Sequence, residues 1–130
     1  MNALSSLLNF IGNKIADMQS PEVFTITRNS SISAGEGRGI YDKVSKIVRI
    51  NLYFNNGDTG ISTGDTIFTV PAAYRPSETK RGSGIVYSGA ASTKLTAGSA
   101  FIVDTNGAVK QQQSPSTTRG FGYIEYVLGG

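Results

Sequence analysis

The spacing of apolar residues changes once along this 130-residue chain, at Ser20-Pro21. Before that point apolar residues recur at alternating steps of four and three, which is the 3.5-residue period of a helix with an a/d seam. After it they recur at every second position, in short runs divided by glycine and proline, as in β-strands. Because proline disfavours helical backbone at the preceding residue, the helix is predicted to end at Ser20.

The predicted helix has one continuous apolar seam, widened by Leu7 and Phe10, while Gly12 costs about 1 kcal/mol of helix propensity. Its seam residues are Leu4, Leu8, Ile11, Ile15 and Met18. Such a helix needs a packing partner, which is either its own β-domain or the same helix of other copies. A strict two-heptad seam before a proline favours parallel association of copies, and its shortness implies that the β-domain associates as well.

A secretory signal peptide is a rival interpretation of this segment. However, no Lys or Arg precedes Leu4, and serine and asparagine interrupt the apolar run. No stretch approaches the roughly 20 apolar residues of a membrane span, so membrane insertion is not expected.

Composition restricts the chemistry of the chain. It has no cysteine and no histidine, which excludes disulfides, thiol nucleophiles, Cys/His metal sites and imidazole bases. Its net charge is +3 and its twelve Lys and Arg form no run longer than the pair Lys80-Arg81, so nucleic acid is not an expected partner. No cofactor is expected.

Several runs alternate with period two and predict strands. In "EVFTITRN" Phe24 and Ile26 share a face, and in "YDKVSKIVRINLYFN" Val44, Val48, Ile50, Leu52 and Phe54 do. Ser45-Lys46 is predicted as a hairpin tip or bulge within the second run. Further strands are predicted in "DTIFTV", "GIVYSGA", "STKLTA" and "GFGYIEYVL", and "AFIVDTNGAVKQQ" is predicted as a hairpin turning at Asn106-Gly107.

The remaining stretches are predicted as connections: residues 30–39, "NNGDTG" and the loop 71–84. Short strands at regular spacing predict an all-β fold, an antiparallel, jelly-roll-like sandwich or barrel. We expect residues 1–20 to be an oligomerisation helix, 21–40 a linker or neck strand region, and 41–130 the β-head.

The stretch 39–128 resembles a recurrent C-terminal domain of phage tail proteins from Gram-positive hosts. The resemblance rests on "GIYDKVSKIVRINLYF", a glycine-containing turn, "IFTVPAAYRP" and "IVDTNGAVK". Val70, Pro71, Tyr74, Arg75 and Pro76 match the family's aliphatic-Pro-x-x-Tyr-Arg-Pro run. A helix ahead of such a head is similar to the trimeric receptor-binding and baseplate proteins of siphophages.

The resemblance implies a homotrimeric head at the virion tail tip, extracellular when acting, whose partners are other phage tail or baseplate proteins and host cell-wall saccharide. The chain departs from the family by having no tryptophan, so any stacking on sugar falls to tyrosine or phenylalanine. Its neck is also short, since only residues 21–40 are available for one.

A saccharide site combines an aromatic face with amides and carboxylates. Its predicted loop residues are Tyr87, Asp104, Asn106, Gln111 and Gln113. The alternative is that each is an ordinary solvated loop residue. For Tyr74 and Arg75 a structural role is favoured over saccharide contact, with Pro71 and Pro76 fixing the backbone and the Tyr74 hydroxyl bonded to backbone.

Other motifs allow weaker alternatives. Glu36, Asp42, Asp58 and Asp65 offer carboxylates for glycoside hydrolysis, but all lie in turn-like sequence. "GEGRG" lacks the lysine and helix of a phosphate loop, and "NNGDTG" is too short for an EF-hand calcium loop. The leading interpretation is a non-catalytic receptor-binding protein. The alternatives are a structural tail component that binds other phage proteins and a glycan-cleaving tail enzyme.

Overall fold

A computed structural model of the protein describes residues 2–88, 93–112 and 117–129, with their side chains except those of 17–19, 88 and 93–99. Within these residues the chain forms one α-helix, eight β-strands and one short 3₁₀ helix. The elements are α1 (Ala3–Gln19), β1 (Glu22–Arg28), β2 (Ala34–Asp42), β3 (Ile47–Asn55), β4 (Thr66–Thr69), the 3₁₀ helix (Ala72–Tyr74), β5 (Lys80–Ser88), β6 (Thr93–Val103), β7 (Ala108–Gln111) and β8 (Arg119–Val127).

Local hydrogen bonds define both ends of α1. The side-chain oxygen of Asn2 accepts from the backbone N–H of Ser5 at 2.8 Å. At the other end, the N–H of Ser20 donates to the carbonyl of Ala16 at 2.9 Å. Ser20 has extended backbone before Pro21, which confirms the predicted end of the helix. No helix within the described residues has the length and apolar character needed to cross a membrane.

The apolar seam of α1 is not covered by the barrel. All residues from 2 to 16 are exposed, and the exposed fraction of the large apolar side chains runs from 45% at Ile11 to 63% at Leu4. The alternative in which the helix packs on its own β-domain is therefore wrong. Leu8 and Ile15 lie open at the surface. Met18 lies near the helix end, and its side chain is outside the described part.

The eight strands close into one antiparallel barrel with the order β1-β2-β3-β8-β5-β6-β7-β4, and β4 pairs again with β1. The barrel consists of two Greek keys, with the strand orders β4-β1-β2-β3 and β8-β5-β6-β7. In each key three successive strands lie side by side, and the fourth strand returns to pair with the first. The predicted antiparallel all-β fold is confirmed. Of the two forms predicted, the barrel is observed, rather than two facing sheets of a jelly-roll sandwich.

The barrel has two ends. The helix end, where α1 leads into β1, also carries three connections, residues 43–46, 70–79 and 104–107. At the far end, residues 29–33 join β1 to β2 and residues 56–65 join β3 to β4. Ile61 of the second connection forms a β-bridge with Thr117 just before β8. The far end is the part of the barrel most remote from the helix junction.

Large rings and glycines fill the barrel interior together. Phe54 and Phe101 are buried and meet edge to face, with ring centroids 6.2 Å apart. A Cβ at Gly122 would lie 2.6 Å from the ring of Phe101, and a Cβ at Gly39 would lie 2.0 Å from the ring of Phe24. Because an eight-stranded barrel is only wide enough for its own side chains, glycine makes room for each ring.

The predicted alternation is confirmed on β1 and β3, and one residue departs from it. Phe24 and Ile26 are buried, and so are the apolar residues of β3 from Val48 to Phe54. Val44 instead lies in the turn 43–46 and is 68% exposed.

Both predicted turn positions are confirmed as hairpins. Lys46 takes a positive φ of 61° between β2 and β3. Gly107 takes a φ of 87° between β6 and β7.

Two assignments of connections are corrected. Residues 30–39, predicted as a connection, supply much of β2, so most of the predicted neck 21–40 belongs to the barrel. The inward positions of β2 include Gly37 and Gly39, and glycine there removes the apolar alternation that marks a strand.

The predicted loop 71–84 likewise includes the first half of β5, which starts at Lys80. Gly82 and Gly84 occupy its inward positions, against the side chains of Ile124 and Phe101. Glycine facing a large neighbour is again the reason that the strand was not predicted.

Candidate functional site

The segment 71–76, which contains the Tyr-Arg-Pro motif, crosses the helix end of the barrel. The ring of Tyr74 stacks on the ring of Phe24, with centroids 4.0 Å apart and planes 5° apart. Its hydroxyl donates to the Glu22 carboxylate at 2.6 Å, and this bond raises the pKa of Tyr74. Its backbone carbonyl accepts from the Tyr126 hydroxyl. The predicted bond from the Tyr74 hydroxyl to backbone is therefore corrected to a bond with a carboxylate.

Arg75 ties the same segment to the β6–β7 turn. Its Nε donates to the carbonyl of Val70 at 2.9 Å, and a Cβ at Gly107 would lie 2.6 Å from that nitrogen. Pro76 is buried and Pro71 is half-buried. The Tyr74 hydroxyl and the Arg75 Nε are both bonded within the protein, which suits a structural role better than ligand contact.

Two of the predicted saccharide residues stabilise the β6–β7 turn at the helix end. Asp104 forms a salt bridge with Lys110 at 2.7 Å and accepts from the Thr79 hydroxyl at 3.1 Å. The hydrogen bond from Lys110 lowers the pKa of Asp104. The side-chain oxygen of Asn106 accepts from the N–H of Ala108 at 3.0 Å. These oxygen atoms are engaged in the turn itself.

Gln111 lies inside the barrel. Its side chain is fully buried, and its Nε2 donates to the carbonyl of Ile61 at 2.9 Å. The prediction that Gln111 is a loop residue open to saccharide is therefore wrong. Gln113 lies outside the described residues.

Tyr87 lies on β5 and is half-buried, with the Arg119 guanidinium 4.7 Å from its ring centroid. Asp104, bonded to Thr79, lies near the opposite end of that strand. Tyr87 is seven residues after Lys80, and at ~3.3 Å per residue this is roughly 23 Å. The predicted saccharide residues are therefore not brought together.

An exposed pair of aromatic rings lies on the outer wall of the barrel. Tyr53 of β3 and Phe121 of β8 are opposite one another in the strand register. They are 42% and 58% exposed, and their ring centroids are 6.4 Å apart with planes tilted by 32°. They border a shallow groove of about 350 Å³ that we call the aromatic groove; its other lining residues are Glu36, Arg38, Asn51, Leu52 and Gly122.

Three polar side chains surround the two rings. Glu36 lies opposite Tyr53 on the neighbouring strand, and Arg38 lies opposite Asn51. In the part of the chain that the structure describes, the side chains of Glu36, Arg38 and Asn51 form no hydrogen bond or salt bridge. The aromatic groove thus combines apolar faces with polar groups whose hydrogen-bonding capacity is unused.

The strand register places the aromatic groove on the half of the wall nearer the far end. Tyr53 is third from the far end of β3, and Phe121 is the third residue of β8, which starts there. Tyr53 alternates with the apolar face predicted for that run, between Leu52 and Phe54, but it is not among the predicted site residues. The available signal was an aromatic residue at an outward position, as also for Phe121 between the inward-facing Gly120 and Gly122.

Of the carboxylates considered for catalysis, Glu36 and Asp42 lie far apart. Asp42 is the last residue of β2, at the helix end of the barrel and six residues after Glu36, which is roughly 20 Å of strand. Hydrogen bonds from the backbone N–H groups of Ser45 and Val44 lower the pKa of Asp42, opposite to the shift that a general acid requires. Asp58 and Asp65 are exposed in the connection 56–65. In the "NNGDTG" run considered for calcium, the side-chain oxygen of Asn56 accepts from the backbone N–H of Ser33 at 2.9 Å.

Among the described residues no three acidic side chains lie close enough together to hold a metal ion.

No model of a known protein family matches this chain, and comparisons with curated proteins and with solved structures find no match either. The resemblance of residues 39–128 to phage tail domains therefore stays an expectation that rests on its motif residues.

Proposed function

We propose that this protein is a non-catalytic, homotrimeric adhesion protein that binds saccharide on a host cell surface, as a receptor-binding protein of a phage tail or baseplate. The observation that carries the proposal is the aromatic groove, where the exposed rings of Tyr53 and Phe121 lie beside unbonded polar side chains. The phage setting, with the virion tail tip as location, rests on the resemblance of residues 39–128 and stays a prediction.

Binding at the aromatic groove would use two kinds of contact. The C–H face of a sugar ring packs on Tyr53 and Phe121, which bury apolar surface at little cost in conformational entropy. Glu36 accepts hydrogen bonds from hydroxyl groups, and the amide of Asn51 both donates and accepts. Neither contact requires a bond to form or break in the ligand, so the proposed activity is adhesion.

The open seam of α1 supports the oligomeric part of the proposal. Leu4, Leu8, Ile11 and Ile15 are exposed in the single chain although they form an a/d pattern. Parallel packing of three such helices removes these residues from water, and contacts between barrels add stability that two heptads alone do not supply. A trimer presents three grooves, so weak single-site binding is strengthened by avidity.

The position of the groove is consistent with this arrangement. The helix joins the barrel at the helix end, whereas Tyr53 and Phe121 lie on the half of the wall nearer the far end. Attachment to the virion through the helix end would therefore leave the groove accessible to a host surface.

A glycan array and retention on host cell-wall preparations test the proposal. We expect the wild type to be retained and the Tyr53→Ala/Phe121→Ala double variant to lose about tenfold or more in apparent affinity. Val44→Ala is the matched control, because Val44 is an exposed apolar residue in the turn 43–46 at the opposite end. Absence of wild-type binding to every glycan and every wall preparation would reject saccharide adhesion.

The alternative is a structural tail or baseplate component that binds other phage proteins. One observation favours it: the outer wall also exposes Ile40, Val127 and Phe121 by 43% to 58%, and exposed apolar surface is typical of protein interfaces. Retention by tail proteins with no retention on host wall would select this alternative. Release of reducing ends from wall polysaccharide would instead select the glycan-cleaving enzyme.

A further inference from the structure

A second cleft adjoins the aromatic groove on the outer wall. It lies over β1 and β2, has a volume of about 410 Å³ and includes Thr25 and Arg28 of β1. It shares Glu36 and Arg38 with the aromatic groove, so that the two depressions meet at these side chains. We call the residues Thr25, Arg28, Glu36 and Arg38 the basic cleft.

The basic cleft contains two exposed guanidinium groups and one carboxylate. Arg28 and Arg38 form no salt bridge within the described residues. Arg49 differs from them, because it lies on the same outer wall with its Nε 3.1 Å from the Glu125 carboxylate. The charge at the basic cleft is therefore not neutralised by the protein as it is at Arg49.

Guanidinium groups match the geometry of carboxylate and phosphate oxygens, to which they donate two parallel hydrogen bonds. The surface from β1 to β8 crosses three inter-strand spacings, which is roughly 14 Å. One chain of sugar rings that stacks on Tyr53 and Phe121 therefore also reaches Arg38.

We propose that the aromatic groove and the basic cleft form one extended site for an acidic oligosaccharide. A sugar ring stacks on Tyr53 and Phe121, and a carboxylate or phosphate group of the same glycan binds Arg38 and Arg28. This assignment of ligand class rests on the proposed saccharide adhesion.

The test is a glycan array on which each neutral oligosaccharide is accompanied by its uronate and its phosphorylated counterpart. We expect the full-length protein to prefer an acidic member over its neutral counterpart by about tenfold, and the preference to weaken with added salt. Comparison of the uronate and phosphorylated arms identifies which acidic group is bound.

Substitutions assign that preference to the cleft. Arg28→Gln, at a residue outside the aromatic groove, is expected to weaken the preference for the acidic member while neutral glycans bind as before. The Arg28→Gln/Arg38→Gln double variant is expected to abolish the preference. Arg81→Gln, which removes one exposed positive charge from β5 outside both depressions, is the matched control and is expected to keep the preference. Thermal unfolding monitored by circular dichroism verifies that each variant is folded.

The possible failures are distinguishable. Equal binding of neutral and acidic members, with loss on Tyr53→Ala, would overturn the acidic ligand and leave saccharide adhesion standing. A preference that persists in the Arg28→Gln/Arg38→Gln double variant would also overturn it. No retention on any member of the array would overturn both the ligand class and the adhesion on which it rests.

Discussion

The rings of Tyr74 and Phe24 lie parallel, with centroids 4.0 Å apart and planes 5° apart. Phe24 is a core residue of β1, whereas Tyr74 belongs to the segment that crosses the helix end of the barrel. The stack therefore fixes a long connection to the barrel interior. It makes the Tyr-Arg-Pro segment part of the scaffold, and a scaffold role has measurable consequences.

Tyr74→Ala is expected to lower the free energy of unfolding by about 2 to 4 kcal/mol, because it removes a partly buried ring from Phe24. Tyr74→Phe keeps the stack and loses only the hydrogen bond to Glu22, which predicts a loss of about 1 kcal/mol. Urea denaturation measures both. Tyr53→Ala, at an exposed ring, is the control and is expected to change stability by less than about 0.5 kcal/mol. Equal stability of Tyr74→Ala and wild type would contradict the scaffold role.

The strands that were predicted are those whose inward positions carry apolar side chains. Phe24 and Ile26 mark β1, and the alternation from Val48 to Phe54 marks β3. β2 was missed because glycines there face the rings and aliphatic groups of β1, so that the large member of each packed pair lies on the other strand. Periodicity within one strand does not reveal such a pair.

The candidate site was not predictable for a related reason. Tyr53 and Phe121 become neighbours only because β3 pairs with β8, and this pairing joins the two Greek keys. No internal repeat in the sequence indicates the second key, since strand alternation specifies a face but not a partner. Conversely, Asp104 and Asn106 were selected as a carboxylate and an amide for saccharide binding, whereas the structure uses their oxygen atoms at the turn.

Gly39→Ala tests the pairing of glycine with large rings. A Cβ at Gly39 would lie 2.0 Å from the Phe24 ring, and the stack on Tyr74 prevents that ring from simply moving away. We expect a loss of about 1 to 3 kcal/mol in the free energy of unfolding, measured by urea denaturation. Gly12→Ala is the matched control, because a Cβ there meets nothing within 4 Å and gains about 1 kcal/mol of helix propensity. If Gly39→Ala were as stable as wild type, the barrel interior would have space for a methyl group beside Phe24, and the proposed close packing of glycine and ring would be wrong.

Acid is expected to weaken the β6–β7 turn through Asp104. The Lys110 hydrogen bond lowers the pKa of Asp104 below its ordinary value of 3.8. The stability that ionised Asp104 contributes through Lys110 is therefore fully present above pH 3.8. It is lost as the pH falls through the pKa of Asp104 in the folded protein, because the unfolded chain takes up the proton first. Since the two side chains are 25% and 28% exposed, its size is about 1 kcal/mol or less.

Unfolding by urea at a series of pH values measures this contribution. Asp104→Asn is expected to be less stable than wild type at neutral pH and to approach it as the pH falls below about 4. Asp58→Asn, at an exposed loop residue, is expected to follow the wild-type profile. If the free energies of unfolding of Asp104→Asn and wild type differed by the same amount at all pH values, the ionised carboxylate of Asp104 would not be the cause of the difference.

The seam of α1 allows assembly to be separated from folding. Leu8→Asp and Ile15→Asp change residues that are 59% and 48% exposed in the single chain, so the barrel is expected to keep its stability. In a helix bundle each would bury an unpaired charge, at a cost of several kcal/mol. Size-exclusion chromatography with light scattering at micromolar concentration should therefore show a trimer for the wild type and smaller species for both variants. Asn13→Asp adds the same charge off the seam and should leave the trimer mass unchanged. A monomeric wild type, or both seam variants at trimer mass, would show that α1 does not assemble this protein.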